Sequence, residues 1–146
     1  MKQLTEPGEK LVFHGCSVDS LPSIIAHGFL KKFWTSAAGS WQRFQPGFYF
    51  ALQSSKSHDY PLGPMGALAV GSHRREMLLC KVASGKEYRT KVNMDKPGQQ
   101  VPPHGYDSVH GEAGGALNYD ELVVYEEGAI LPYAVVEYGF KKSRRW

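Results

Sequence analysis

Apolar residues along this chain fall in short runs separated by polar stretches rich in Gly and Pro, with no sustained helical or heptad period. LVFH at 11–14 stops at Gly15 and predicts a buried strand that delivers His14 to its end. A helix over about 19–27 follows, with Ser17, Asp19 and Ser20 as candidate N-caps, Pro22 in its first turn, Ile24 and Ile25 as its apolar stripe and Gly28 as its stop. FYFAL at 48–52 and EMLLCKVA at 76–83 are short, apolar and rich in aromatic or β-favouring residues, which predicts two more strands. DELVVYE at 120–126 and ILPYAVVEYGF at 130–140 close the chain as β-rich segments, and Pro132 marks the last as an edge or a bulged strand. Between them, TSAAGSWQRFQPG at 35–47 predicts a loop, and SSKSHDYP at 54–61 a helical turn that Pro61 ends. Gly85 to Gly105, with Pro97, Pro102 and Pro103, predicts a long loop of the kind that is functional or disordered in a compact domain.

Composition narrows this picture to one domain spanning 1–146. The 146 residues are 42% hydrophobic and 21% charged, which is globular, while 16 Gly and 9 Pro disfavour a helical bundle and favour a loop-rich α+β or mostly β domain. A net charge of +3 is too small to imply a nucleic-acid partner by long-range attraction. Cys16 and Cys80 make neither a disulfide framework nor a CxxC pair, and the N-terminal MKQLTEPGEK lacks a secretory apolar core. With no apolar run near the ~20 residues that cross a bilayer, an intracellular protein, cytoplasmic or nuclear and without membrane association, is expected. A monomer is expected as well.

Several apparent motifs carry no chemistry. Gly66 and Gly71 have P-loop spacing, but Ser72 and His73 stand where the Lys and the Ser or Thr belong. Ser57, His58 and Asp59 are the three triad residue types, yet side chains of adjacent residues diverge. His14 and Cys16 lack the second ligand pair of a zinc site, so no metal is expected. Taken singly, a His at a strand end, a Tyr between Phe48 and Phe50 and a Glu at the start of an apolar run are ordinary structural residues. His104 and His110, flanking YDSV, read as surface histidines without a role.

The segments in order are more informative than any one of them. His14-Gly15, GFYFA at 47–51 with Ser55-Lys56-Ser57 and Tyr60, MLLCKV at 77–82 with Gly85-Lys86, and YDSV at 106–109 leading to YDELVVY at 119–125 resemble the catalytic domain of the poly(ADP-ribose) polymerase family, the diphtheria-toxin-like ADP-ribosyltransferases. The resemblance covers about residues 11–140. It implies an α+β ADP-ribosyltransferase fold: two packed, mainly antiparallel β-sheets with an NAD cleft and few short helices. It also implies a catalytic His-Tyr-Glu set, which motif matching places on His14, Tyr49 and Glu121. NAD would be the co-substrate, with the nicotinamide carboxamide on Gly15 and Ser57, Tyr49 and Tyr60 stacking on its ring, and His14 holding the adenosine ribose.

The chemistry agrees with these residue types. Breaking the bond between nicotinamide and ribose develops an oxocarbenium-like centre, which needs a nearby carboxylate and a rigid clamp on the departing ring, and no metal. Glu121 supplies the charge and the tyrosines the clamp. The implied activity is NAD-dependent transfer of ADP-ribose to an acceptor. A Glu in this position is compatible in the family with polymer synthesis, but the 84–105 stretch shows no assignable second site, so mono-transfer is favoured. The alternatives are an NAD glycohydrolase with water as acceptor and transfer to nucleic acid, for which the basic KKSRRW tail at 141–146 would be the contact. Otherwise the acceptor is a protein. Cys16 departs from the Ser common in the family after His-Gly and weakens a hydrogen bond expected near the ribose. The family's regulatory helical domain and DNA-reading modules have no counterpart in these residues, so open access to NAD is expected.

Overall fold

The computed structural model describes residues 8–15, 19–32, 42–53, 74–115 and 117–139. Seven strands and one α-helix make up the described residues: β1 (Glu9–His14), α1 (Leu21–His27), β2 (Phe48–Ala51), β3 (Arg74–Ala83), β4 (Glu87–Thr90), β5 (Ser108–Gly111), β6 (Glu121–Val124) and β7 (Ile130–Gly139), with a 3₁₀ turn at Glu127–Ala129. The expected strands and the first helix are therefore present near their expected bounds. Gly28 ends α1 at φ 74°, its N–H donating to the Ile24 carbonyl at 2.8 Å. Ser20 takes the N-cap position but makes no side-chain cap bond.

Two expectations need correction. The stretch from Gly85 to Gly105 is not all loop, because Glu87–Thr90 pairs in parallel with Ser108–Gly111. Neither segment carries a long apolar alternation; the ladder, rather than the local sequence, makes them strands. The expected two sheets are, by hydrogen bonding, one seven-stranded ladder in the order β4-β5-β6-β2-β1-β3-β7, antiparallel except for β4–β5. Its seam lies between β2 and β1, which share a single residue pair, Phe13 with Ala51, whereas β1 pairs with β3 over six.

The ladder bends strongly. Four strand spacings separate β4 from β1, roughly 19 Å in a flat sheet, yet Lys10 Nζ on β1 forms an ion pair with Glu87 on β4. Side chains on the inner face of this bend form one core: Val12, Phe48, Phe50, Leu78, Cys80, Val82, Leu122 and Val124, closed by Leu21 of α1 and by Phe29. Alternate residues of the same strands point outward to a second core, where Val109, Val123 and Tyr125 meet Phe44, Met94 and Leu117 from the connecting segments. The period-two switch is direct on β2, where Phe48 and Phe50 enter the first core and Tyr49 packs on the second. The short β3–β4 link works because Gly85 sits at φ 59° against the Asp107 carboxylate, where no Cβ fits. At the far edge, the β3–β7 register shifts opposite Pro132, so the bulge and the edge position anticipated for that residue both occur.

Candidate active site

His14 is the last residue of β1, Tyr49 the second of β2 and Glu121 the first of β6, and these three strands are neighbours in the middle of the ladder. Residues separated by 35 and 72 positions are thus brought together at the seam where the sheet bends. The His14 imidazole spans that seam: Nδ1 lies 2.9 Å from the Tyr49 carbonyl oxygen. A carbonyl only accepts, so Nδ1 carries the proton. Burial pushes the His14 pKa below its ordinary value, only partly opposed by that bond, so the ring is held neutral with the Nε2 lone pair available as an acceptor. The ring is fixed edge-on to Phe29, centroids 4.9 Å apart at 85°, and against Phe50 at 5.6 Å.

Tyr49 is anchored by its hydroxyl. The O–H donates to the Gln45 carbonyl at 2.7 Å and accepts the Phe44 N–H at 3.0 Å, which ties β2 to the 42–47 segment. Burial raises its pKa well above the usual phenol range; the Phe44 N–H opposes this and the charge of Glu121 adds to it. With the hydroxyl committed internally, Tyr49 has its ring to offer a ligand.

Glu121 is buried, 3% exposed, and pairs across the ladder with Ala51 on one side and Gly111 on the other. Those are the smallest residues a sheet offers, and the space over Gly111 is taken by side chains from the connecting segments. Gly111 is obligatory there, since a Cβ would strike the Phe44 ring and Leu117. Register and parity put Glu121 on the same face as Tyr49, two positions along, while His14 lies on the face of Phe50. Gly15, at the end of β1, is buried. Ser57, Tyr60 and Cys16 lie outside the described residues, as does the 141–146 tail.

A family model for the poly(ADP-ribose) polymerase catalytic domain matches residues 2–144. The chain belongs to the poly(ADP-ribose) polymerase catalytic-domain family. It is 36% identical over 101 residues to "Protein mono-ADP-ribosyltransferase PARP3" of Homo sapiens, 33% over 101 residues to its Mus musculus counterpart and 34% over 103 residues to that of Gallus gallus. Each alignment takes in 68% of this chain but only 16–17% of the relative, so the chain matches about one sixth of the length of these curated proteins.

Within this poly(ADP-ribose) polymerase domain the sequence reading missed one polar cluster. His110 is not on the surface; it is 3% exposed, with Nδ1 3.0 Å from Glu87 Oε2 and Nε2 2.8 Å from Asp120 Oδ2. Asp120 Oδ1 accepts the Ala113 N–H at 2.8 Å, and Lys10 pairs with the other oxygen of Glu87. The partners are 23 and 10 residues away in sequence, so no local motif announces them. The one available signal was an Asp immediately before Glu121. His104, by contrast, is exposed as anticipated. Among the described residues no three His, Cys, Asp or Glu side chains are arranged to hold a metal ion, and no helix is long and apolar enough to cross a membrane.

Proposed function

We propose that this domain is an NAD-dependent ADP-ribosyltransferase, with His14, Tyr49 and Glu121 as its catalytic set. The observation that supports this most is that those three residues stand on three adjacent strands at the bend of the sheet, with Glu121 buried between Ala51 and Gly111. NAD would bind along this seam. The neutral His14 offers Nε2 to a hydroxyl of the adenosine ribose, and the anchored Tyr49 ring stacks on nicotinamide, with Gly15, Ser57 and Tyr60 completing the slot.

In the transfer step the bond between the nicotinamide nitrogen and the ribose anomeric carbon breaks, and its electron pair neutralises the pyridinium as nicotinamide leaves. Positive charge then resides on the ribose. Glu121 accepts the ribose 2′-hydroxyl and stabilises that charge in a site of low dielectric. An acceptor hydroxyl, carboxylate or amine attacks the anomeric carbon, losing a proton where it has one to give. Mono-transfer to a protein is the favoured outcome, in keeping with the mono-ADP-ribosyltransferase name of the PARP3 relatives.

The test is to incubate the protein with NAD and separate panels of protein, RNA and DNA, and to locate ADP-ribose by mass. Single adducts on protein are expected. Glu121→Gln keeps the shape and removes the charge, and should lower transfer by roughly a hundredfold or more while NAD still binds. Free ADP-ribose as the sole product identifies a glycohydrolase instead, and full activity of Glu121→Gln refutes the assignment of that residue.

A further inference from the structure

The densest cluster of titratable groups outside the triad surrounds His110 on β5. Four charged groups face it: Glu87 and Arg89 from β4, Lys10 from β1, and Asp120 from the residue before β6. Both ring nitrogens lie within hydrogen-bond distance of a carboxylate oxygen, so the ring bridges two acids carried by different segments. The acids are held ionised. The Ala113 N–H first, and then His110, keep Asp120 below its ordinary value. For Glu87, burial alone would raise the pKa, but bonds from Lys10, His110 and Ser84 together outweigh it.

The place of this cluster matters more than its charge. Asp120 is one residue from Glu121, and β6 is only four residues long, so Glu121 stands at a strand end, where fraying begins. Three ties converge on that end: the ladder pair Gly111 with Glu121, the Asp120 bond to Ala113, and the Asp120 bond to a ring carried by the neighbouring strand. By register His110 sits on the face of the sheet opposite Glu121.

We propose that His110 is a positioning residue for Glu121: by bridging Glu87 to Asp120 it fixes the first residues of β6. This rests on the reading of Glu121 as the group that stabilises the transferring ribose. Without the ring, Asp120 keeps only its bond from Ala113 and the strand end only its ladder pair, which loosens the backbone that aims Glu121. A displacement of about 1 Å at a reacting group can cost up to roughly a hundredfold in rate.

The test uses the full chain and three variants, His110→Gln, Asp120→Asn and Glu121→Gln, with kcat and KM for NAD measured for each. His110→Gln should lower kcat by roughly tenfold or more and leave KM for NAD little changed, a split that a general loss of structure would not give. Asp120→Asn, which keeps the shape and can still accept from Ala113, should reproduce the kcat loss even where His110→Gln fails to fold. Wild-type kcat in folded His110→Gln or Asp120→Asn while Glu121→Gln is inactive overturns the proposal, as does a KM for NAD that rises as much as kcat falls. If Glu121→Gln itself remains fully active, the reading of Glu121 fails, and the positioning role falls with it.

Discussion

At the residue scale, the three matched side chains differ in what holds them. His14 is set by one bond from its ring and by aromatic packing, Tyr49 by both capacities of its hydroxyl, and Glu121 by burial between small cross-strand neighbours. The two roles of Tyr49 are therefore separable. Tyr49→Phe keeps the ring proposed to stack on nicotinamide but leaves the Phe44 N–H and the Gln45 carbonyl without this partner. Each buried polar group so exposed costs about 1–3 kcal/mol when unsatisfied. We expect a fall in Tm of several degrees with KM for NAD changed less than about twofold, as the ring rather than the hydroxyl meets the ligand. Thermal unfolding alongside steady-state kinetics checks both. An unchanged Tm shows that the hydroxyl does not anchor the 42–47 segment, and a large rise in KM with normal stability moves the hydroxyl into the binding site.

At the scale of the elements, the links matter as much as the strands. The β3–β4 connection turns within three residues, and Gly85 does it in left-handed backbone geometry against a buried Asp107 whose Oδ2 accepts the Lys86 N–H at 2.8 Å. Gly85→Ala combines the left-handed penalty with a collision, so a loss of at least about 2 kcal/mol is expected. Urea unfolding measures it, and a loss below about 0.5 kcal/mol, the size of an ordinary surface substitution, shows that the link is not held as described. Because β4 carries Glu87, the same substitution should also disturb the His110 cluster. α1 plays a simpler part: Leu21 is its buried residue, and with Phe29 just beyond its Gly28 stop it closes the inner core behind His14.

At the scale of the whole molecule, several ionisable groups tilt stability in one direction. His14 is held below its ordinary value of 6.5 by burial, so the unfolded chain binds its proton more readily and stability declines as pH falls below about 6.5. Asp120 and Glu87 are held below their ordinary 3.8 and 4.5, so their contribution is complete above those values and is lost as pH falls through the lower folded values. Acidification should therefore weaken the fold in two stages. Urea midpoints measured across pH, compared with those of His14→Gln, isolate the first: the difference between the two proteins should shrink or reverse as pH drops from 7 toward 5. A difference independent of pH over that range means that the His14 ring titrates normally in the fold.

What the sequence by itself determined is local and chemical. Apolar runs, Gly stops and a Pro in the final strand placed five strands and the first helix near their true positions, because period, capping and ring geometry act over a few residues. His14, Tyr49 and Glu121 are singled out as candidates by the sequence because each stands inside a run whose order matches a known family. Tertiary structure alone decided the rest. β4 and β5 have little strand character of their own and exist because they pair with each other and with β6. The single ladder, rather than two sheets, follows from one residue pair between Phe13 and Ala51 at a bend that the Lys10–Glu87 ion pair helps to hold. The burial of His110 between Glu87 and Asp120 likewise had no trace in residue spacing, since three strands far apart in sequence must converge before that ring is taken out of water and given two carboxylates in exchange.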